Sequence, residues 1–446
     1  MSNEMNNLEI TFCSMGSVDA GKSSLLSCLI NNKLDDGNGY ARNLITKYKH
    51  EITTGKTSAI STHSIKNFNN SNKSLIFVDL CGHRKYLKTS LFGVTAYHPD
   101  YALLIVGGNR GVLEMTREHI KILYLLKIPM IIVITKTDLI DKLYEDEETK
   151  NSDKKNELTK ITNDIKKVFS KGKFNVIDMN DIFENDKSTT DIIPNVKTIP
   201  LFKLSCKTGY GLEYLKQYIV SLPRRIDMKI NKISTTNDFI FQIDTIYCPV
   251  GIGWVVSGIL KSTNNDEYIT PNTNVFLGPS KLNNEFIQAK IWSIHNYYNE
   301  KVDKLYCGQR GCLAIRLDKK ITRNMFRKGS ILTNNLDIIK SASYVYKARI
   351  KLLNHPTNVR DNFSPVIHCG TVRQTAKLKI LDLELSKKNE KSNDITEKTN
   401  DTTEKSISSG ETAIIEIKFM YRPEIIEPNQ TFFLREGLTL GIGNFI

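Results

Sequence analysis

The stretch GSVDAGKS, Gly16 to Ser23, reads as a phosphate-binding loop set between a strand and a helix. It fits G-x-x-x-x-G-K-[ST]: the glycines let backbone N–H groups wrap a phosphate, the lysine supplies a cation, and the last hydroxyl is a magnesium ligand. The flanks agree. Leu8, Ile10 and Phe12 alternate as in a strand, while Leu25, Leu26, Leu29 and Ile30 form the apolar stripe of a helix. The helix N-terminus therefore faces the phosphates. Gly16, Ser17, Val18, Asp19, Ala20, Gly21, Lys22, Ser23 and Ser24 are the expected nucleotide contacts, with Ser23 on the metal.

Four further segments follow. DLCGH, Asp79 to His83, ends a strand that reads LIFVD. A carboxylate at that tip can hold magnesium through water, and Gly82 leaves its amide free to approach a γ-phosphate. His83 stands where small GTPases place a water-orienting glutamine, which makes it the candidate catalytic group. TKTD, Thr135 to Asp138, closes another apolar strand. Asp138 can accept from both the N1–H and the exocyclic amine of guanine; adenine lacks that N1–H, and such mismatches discriminate by roughly four orders of magnitude. Lys136 would lay its stem along the base. Thr135 departs from the usual Asn, and its shorter side chain is expected to brace the phosphate loop less well. SCKTG, Ser205 to Gly209, follows the strand IPLFKL, and the backbone of Cys206 and Lys207 can cap the guanine oxygen. The loop HEITTGKTS, His50 to Ser58, supplies Thr57 as the expected magnesium and γ-phosphate ligand, with Thr53, Thr54 and Ser58 competing. Its order would depend on GTP. The cofactors implied are GTP or GDP and Mg2+.

The chain has 446 residues, which suggests about three domains. No apolar run reaches the roughly 18 residues of a membrane span, and the opening MSNEMNN lacks the regions of a signal peptide. Eight cysteines are scattered without a C-x-x-C pair, so neither a zinc knuckle nor a disulfide framework is indicated. A cytoplasmic monomer with no membrane association is expected. The net charge of +14 draws the chain towards polyanions, although Lys and Asn abound everywhere and genomic base composition is an equal cause.

Up to about Arg225, apolar strands alternate with helical stretches (Thr116 to Leu126, Leu212 to Leu222), the pattern of a doubly wound α/β sheet. Glu145 to Ser170 is Lys-rich and reads as an exposed helix with a loop. From Asn237 the pattern becomes short alternating strands broken by glycines, which suits two small β-barrels. The expected domains are residues 1–225, 237–336 and 340–446, with the polar run 386–409 as a disordered loop inside the last. Little sequence after Leu440 remains to close that last barrel.

These segments resemble the translational GTPases of the elongation factor Tu and 1A superfamily, and more closely the GTP-binding protein 1 and 2 family. The closer resemblance rests on GSVDAGKSSLL, LDDGNGYAR (Leu34 to Arg42), KHEITTGKTS, DLCGHRKYLKTSLFG and GGNRGVLEMTREH (Gly107 to His119). It continues through VITKTD, PVGIGWVVSG (Pro249 to Gly258), HCGTVRQTA (His368 to Ala376) and REGLTLGIG (Arg435 to Gly443). It implies a GTPase domain followed by two β-barrels. It also implies nucleotide contacts at Asp19, Lys22, Ser23, Thr57, Asp79, Gly82, Lys136, Asp138, Ser205 and Lys207, and a water-orienting His83. Cys81 and Arg84 depart from the pattern beside His83, which puts the hydrolysis rate in question. The activity implied is that of a GTP-hydrolysing factor in translation, with aminoacyl-tRNA and the ribosome as partners. The alternatives are a GTP-dependent adaptor in RNA decay or RNA binding whose hydrolysis is incidental, and a pseudoenzyme that binds GTP for stability alone.

Overall fold

The computed structural model describes residues 9–46, 51–52, 57–142, 150–170, 174–185, 192–195, 197–225, 238–262, 267–280, 284–317, 326–384, 405–437 and 439–446. They form two compact units, Met1–Ile226 and Asp227–Ile446.

The first unit is built on seven strands: β1 (Glu9–Gly16), β2 (Ser61–Ile65), β3 (Ser74–Asp79), β4 (Tyr101–Gly107), β5 (Met130–Thr135), β6 (Asn175–Asp178) and β7 (Thr198–Lys203). Their order is β2-β3-β1-β4-β5-β7-β6, parallel except for the edge strand β2. β1, β3, β4 and β5 are buried at every position, because helices cover both faces of the sheet. One face packs Phe12, Leu103 and Val133 on the helices Lys22–Asn31 and Leu212–Ser221; the other packs Cys13, Leu104 and Ile132 on the helix Lys150–Ser170. Strand order reverses at β1, whose neighbours are β3 and β4. A crevice opens at the carboxyl ends of strands at such a point. The phosphate loop leaves β1 there, and Asp79 and Thr135 end β3 and β5 at the same edge.

The helix Lys150–Ser170 corrects one expectation. It is not simply an exposed Lys-rich helix, because Ile161, Ile165 and Phe169 recur at four-residue spacing and are buried against the sheet. Residues 145–149 lie outside the described residues.

The second unit holds two closed barrels. The first uses strands Phe239–Tyr247, Trp254–Ser262, Asn274–Gly278, Ile287–Asn296, Arg310–Leu317 and Ile331–Thr333, and closes where Asn274–Gly278 pairs with Ile287–Asn296. The second uses Val345–Asn354, Val366–Cys369, Val372–Glu384, Thr412–Phe419, Thr431–Glu436 and Thr439–Phe445. Contrary to the expectation for the chain's last residues, Thr439–Phe445 closes it fully, pairing with both Thr431–Glu436 and Val345–Asn354. Gly443 allows this: a side chain there would stand 2.6 Å from the Phe432 ring. Of the run 386–409, residues 386–404 lie outside the described residues. Its end is ordered, since Ser406–Ile407 pairs with Val359–Arg360 and Ile407 is buried in the barrel core.

Between the barrels, Arg327 of the first pairs with Glu424 of the second, and Gln374 Nε2 donates to the same carboxylate at 2.6 Å. Burial pushes the Glu424 carboxyl up, with Arg327 and Arg422 pulling the other way. Lys261 reaches Glu427 at 3.2 Å.

Candidate nucleotide site

A cavity of ≈ 260 Å³ lies at the switch point of the sheet. Ten of the expected residues line it: Val18, Asp19, Gly21, Lys22, Ser23, Ser24, Thr57, Gly82, His83 and Lys136. The other nine do not line it. Gly16 and Ser17 lie beneath Gly82, where a Cβ would stand 2.7 Å from the Gly16 carbonyl oxygen and 2.8 Å from the Ser17 carbonyl carbon. This close approach lets the Asp79–His83 segment rest on the phosphate loop. Lys22 Nζ donates to the Ser17 carbonyl at 2.7 Å. Burial pulls the Lys22 ammonium below its usual range, while Asp79 pulls it back up.

The expected metal ligands converge. Ser23 Oγ donates to Asp79 Oδ2 at 2.6 Å and lies 3.2 Å from Thr57 Oγ1, while Ser14 Oγ donates to Asp79 Oδ1 at 2.7 Å. Two hydroxyls and a carboxylate, all hard oxygen donors, suit magnesium. Of the competitors of Thr57, Ser58 is held elsewhere, donating through both N and Oγ to Glu51 Oε1 at 2.7 and 2.8 Å. Thr53 and Thr54 lie outside the described residues.

Thr135 does brace the phosphate loop. Its hydroxyl reaches the phosphate loop and donates to the Ala20 carbonyl at 2.6 Å. Asp138 is set by Ser205, whose Oγ donates to its Oδ1 at 2.6 Å and in turn receives Lys207 N–H at 3.2 Å. The Cys206 carbonyl is taken by Asp35 N–H at 2.9 Å, and the Lys207 side chain lies along Gly37. Asp19 and Lys136 carry left-handed backbone, φ 60° and 59°, conformations that cost energy for such residues and cluster at functional sites.

His83 is exposed at the cavity rim, and its Nδ1 accepts Lys85 N–H at 3.1 Å, which leaves Nε2 as the donor of the neutral ring. Beside it, burial pushes the Cys81 thiol up to about 12, and Arg84 lies 3.5 Å from Glu114. Arg84 is thereby turned towards a carboxylate.

The sequence reading missed one wall. Asp35, Gly37, Asn38, Gly39 and Arg42 also line the cavity. Asp36 Oδ1 accepts the N–H groups of Asn38 and Tyr40, folding the segment over the site. The D-D-G-N-G composition marks a turn, which is the only local signal it gives.

Residues 8–225 match the family model described as "Elongation factor Tu GTP binding domain". "GTP-binding protein 1" of Xenopus laevis is 30% identical over 459 aligned residues, covering 98% of this chain and 63% of the relative, so the chain spans less than two thirds of that protein. "GTP-binding protein 2" of Mus musculus is also 30% identical, with 98% of this chain and 69% of the relative covered. Among solved structures, the GTPase-like domain of Ski7 from S. cerevisiae, bound to GTP, aligns with TM-score 0.65 at 16% identity over 99% of this chain and 97% of that one, a likeness of fold. The chain belongs to the translational GTPase superfamily and, within it, to the family of GTP-binding proteins 1 and 2.

Proposed function

We propose that the chain binds GTP with Mg2+, hydrolyses it to GDP and phosphate, and acts in translation as an elongation-factor-like switch that takes aminoacyl-tRNA to the ribosome. One observation carries the reading: Ser23, Thr57 and Asp79 form a hydrogen-bonded group, while Gly82 rests on the phosphate loop. The phosphate loop, the segment that carries Thr57 and the Asp79–His83 segment thus meet at one point, so both sensing segments can report the same γ-phosphate.

The roles follow from the donors. Backbone amides of Asp19 to Ser24 and the Lys22 ammonium would hold the phosphates. Ser23, Thr57 and Asp79, the last through water, would hold magnesium, which supplies charge neutralisation at the phosphate oxygens. Gly82 N–H would bind the γ-phosphate. His83 Nε2–H, at the rim, would orient the attacking water. Asp138, Lys136, Ser205, Cys206 and Lys207 would select guanine.

The first barrel carries a cavity of ≈ 480 Å³ lined by Tyr247, Ile252, Val255, Ser293, His295 and Ala314 among others. An apolar wall with a few polar groups suits the aminoacyl end of tRNA. Phosphate release from GTP by the purified chain, with and without ribosomes, tests the proposal. His83→Ala should keep nucleotide affinity and lower the stimulated rate about a hundredfold or more. A stimulated rate that survives intact would make His83 a structural residue and overturn its water-orienting role, whereas no stimulation of the parent chain by ribosomes would favour the RNA-decay or RNA-binding adaptor, in which hydrolysis is incidental.

A further inference from the structure

Strand Ile287–Asn296 alternates core and surface residues until Trp292, where the register with Arg310–Leu317 shifts between Ile291 and Ser293. Trp292 is the extra residue of this bulge. Bulges re-aim side chains, and the indole is 52% exposed. The Arg316 guanidinium lies over the ring, 3.3 Å from its centroid. Lys290 stands opposite Arg316 in register and is also exposed. Neither cation has a carboxylate partner among the described residues.

The surroundings give this group a direction. On the same outer face, His295 pairs with Cys312 and Ser293 with Ala314, and all four line the ≈ 480 Å³ cavity. Arg316 follows Ala314 by two residues and therefore points to the same side of its strand. The group of indole, guanidinium and ammonium thus adjoins the cavity wall along these two strands. An aromatic ring with a stacked, pre-positioned arginine offers planar surface to bases, and adjoining cations offer charge to phosphates; together these are the elements by which proteins hold single strands.

We propose that Trp292, Arg316 and Lys290 form a stacking platform for single-stranded RNA, continuing the strand whose end enters the barrel cavity. A base stacks on the exposed part of the indole or on the outer plane of the guanidinium, and Lys290 meets the phosphate that follows. The choice of RNA rests on the translational reading above; the platform itself does not need the GTP site.

The chain has two tryptophans, so Trp254→Phe leaves Trp292 as its single indole. The full chain with this substitution is titrated with single-stranded hexa-adenylate RNA, and separately with inorganic polyphosphate of matched charge. RNA should quench Trp292 fluorescence and polyphosphate should not. By anisotropy of labelled RNA, Trp292→Ala should weaken binding about tenfold, Trp292→Phe should restore most of it, and Arg316→Gln should fall between. Unchanged melting temperatures show that the variants are folded. Absence of quenching, RNA affinity indifferent to Trp292→Ala, or equal quenching by polyphosphate overturns the platform and leaves the Arg–Trp pair as a self-contained surface contact. The same variants assayed with aminoacyl-tRNA in the GTP-analogue and GDP states separate the two readings: nucleotide-dependent tRNA binding that ignores Trp292 overturns only the platform, whereas hexa-adenylate binding through Trp292 without nucleotide-dependent tRNA binding overturns only the translational switch.

Discussion

Thr135→Val replaces a hydroxyl by a methyl group of nearly the same size, at a position 1% exposed. Packing is therefore kept and one donor is removed. That donor serves the Ala20 carbonyl at 2.6 Å, and Ala20 lies in the phosphate loop. A buried carbonyl left without its partner costs about 1–3 kcal/mol. The loop can recover part of this only by turning the carbonyl elsewhere, which moves the amides that should meet the β-phosphate. Lys22 still ties the loop through Ser17, so the lower part of the range is expected, roughly a tenfold loss of affinity. GTP and GDP should weaken together, because the β-phosphate is common to both. Displacement of a fluorescent guanine nucleotide and urea unfolding of the nucleotide-free chain provide the two readouts. Thr135→Asn, which restores the general pattern, should retain binding. If Thr135→Val binds both nucleotides as the parent does and unfolds at the same urea concentration, the hydroxyl is not a brace and the reasoning fails.

Gly82→Ala should separate GTP from GDP: a Cβ would press on Lys22 Nζ and on the Gly16 and Ser17 backbone, lifting the segment at a cost of about 1–3 kcal/mol, so in parallel titrations a GTP analogue should weaken about tenfold and by more than GDP, which loses only what the phosphate loop itself gives up. Asp138→Asn should gain xanthine nucleotides at the expense of guanine, since the amide can keep its oxygen on Ser205 Oγ and present N–H to the base; competition between XTP and GTP reads it, and unchanged GTP preference removes Asp138 from the base site. His119 is fully buried, neither ring nitrogen has a hydrogen-bond partner among the described residues, and burial, reinforced by Lys22, lowers its pKa to about 3. Its folded pKa lies below the unfolded value, so stability is present above about pH 6.5 and falls towards pH 3 by up to about 1.4 kcal/mol per pH unit through this one proton. Urea unfolding of the parent and of His119→Met across that range should show the shallower slope in the variant.

What could be read in the sequence was what is local. The phosphate loop, D-L-C-G-H, T-K-T-D and S-C-K-T-G each carry their chemistry within a few residues, and strand ends in a doubly wound sheet bring such segments to one crevice. The wall at Asp35 to Arg42 was not legible, because its place on the cavity depends on packing against Cys206 and Lys207, far along the chain. Ile161, Ile165 and Phe169 were diluted by the lysines around them, although their spacing is that of a buried helical stripe. Thr439–Phe445 looked too little to close a barrel because so few residues follow Leu440; only the fold shows that they pair on both sides, and that Phe432 and the Arg349 backbone occupy the space of the missing side chain at Gly443. That the Thr135 hydroxyl reaches the Ala20 carbonyl was not legible either, because the distance from strand end to loop is a tertiary quantity.

The measurement that bears most directly on the central claim is filter binding of aminoacylated against deacylated tRNA to the full chain, with a non-hydrolysable GTP analogue and with GDP. The account predicts retention of aminoacyl-tRNA in the GTP-analogue state, with little retention of deacylated tRNA and little of either in GDP. Equal retention of charged and uncharged tRNA in both nucleotide states, or retention of neither, would contradict it.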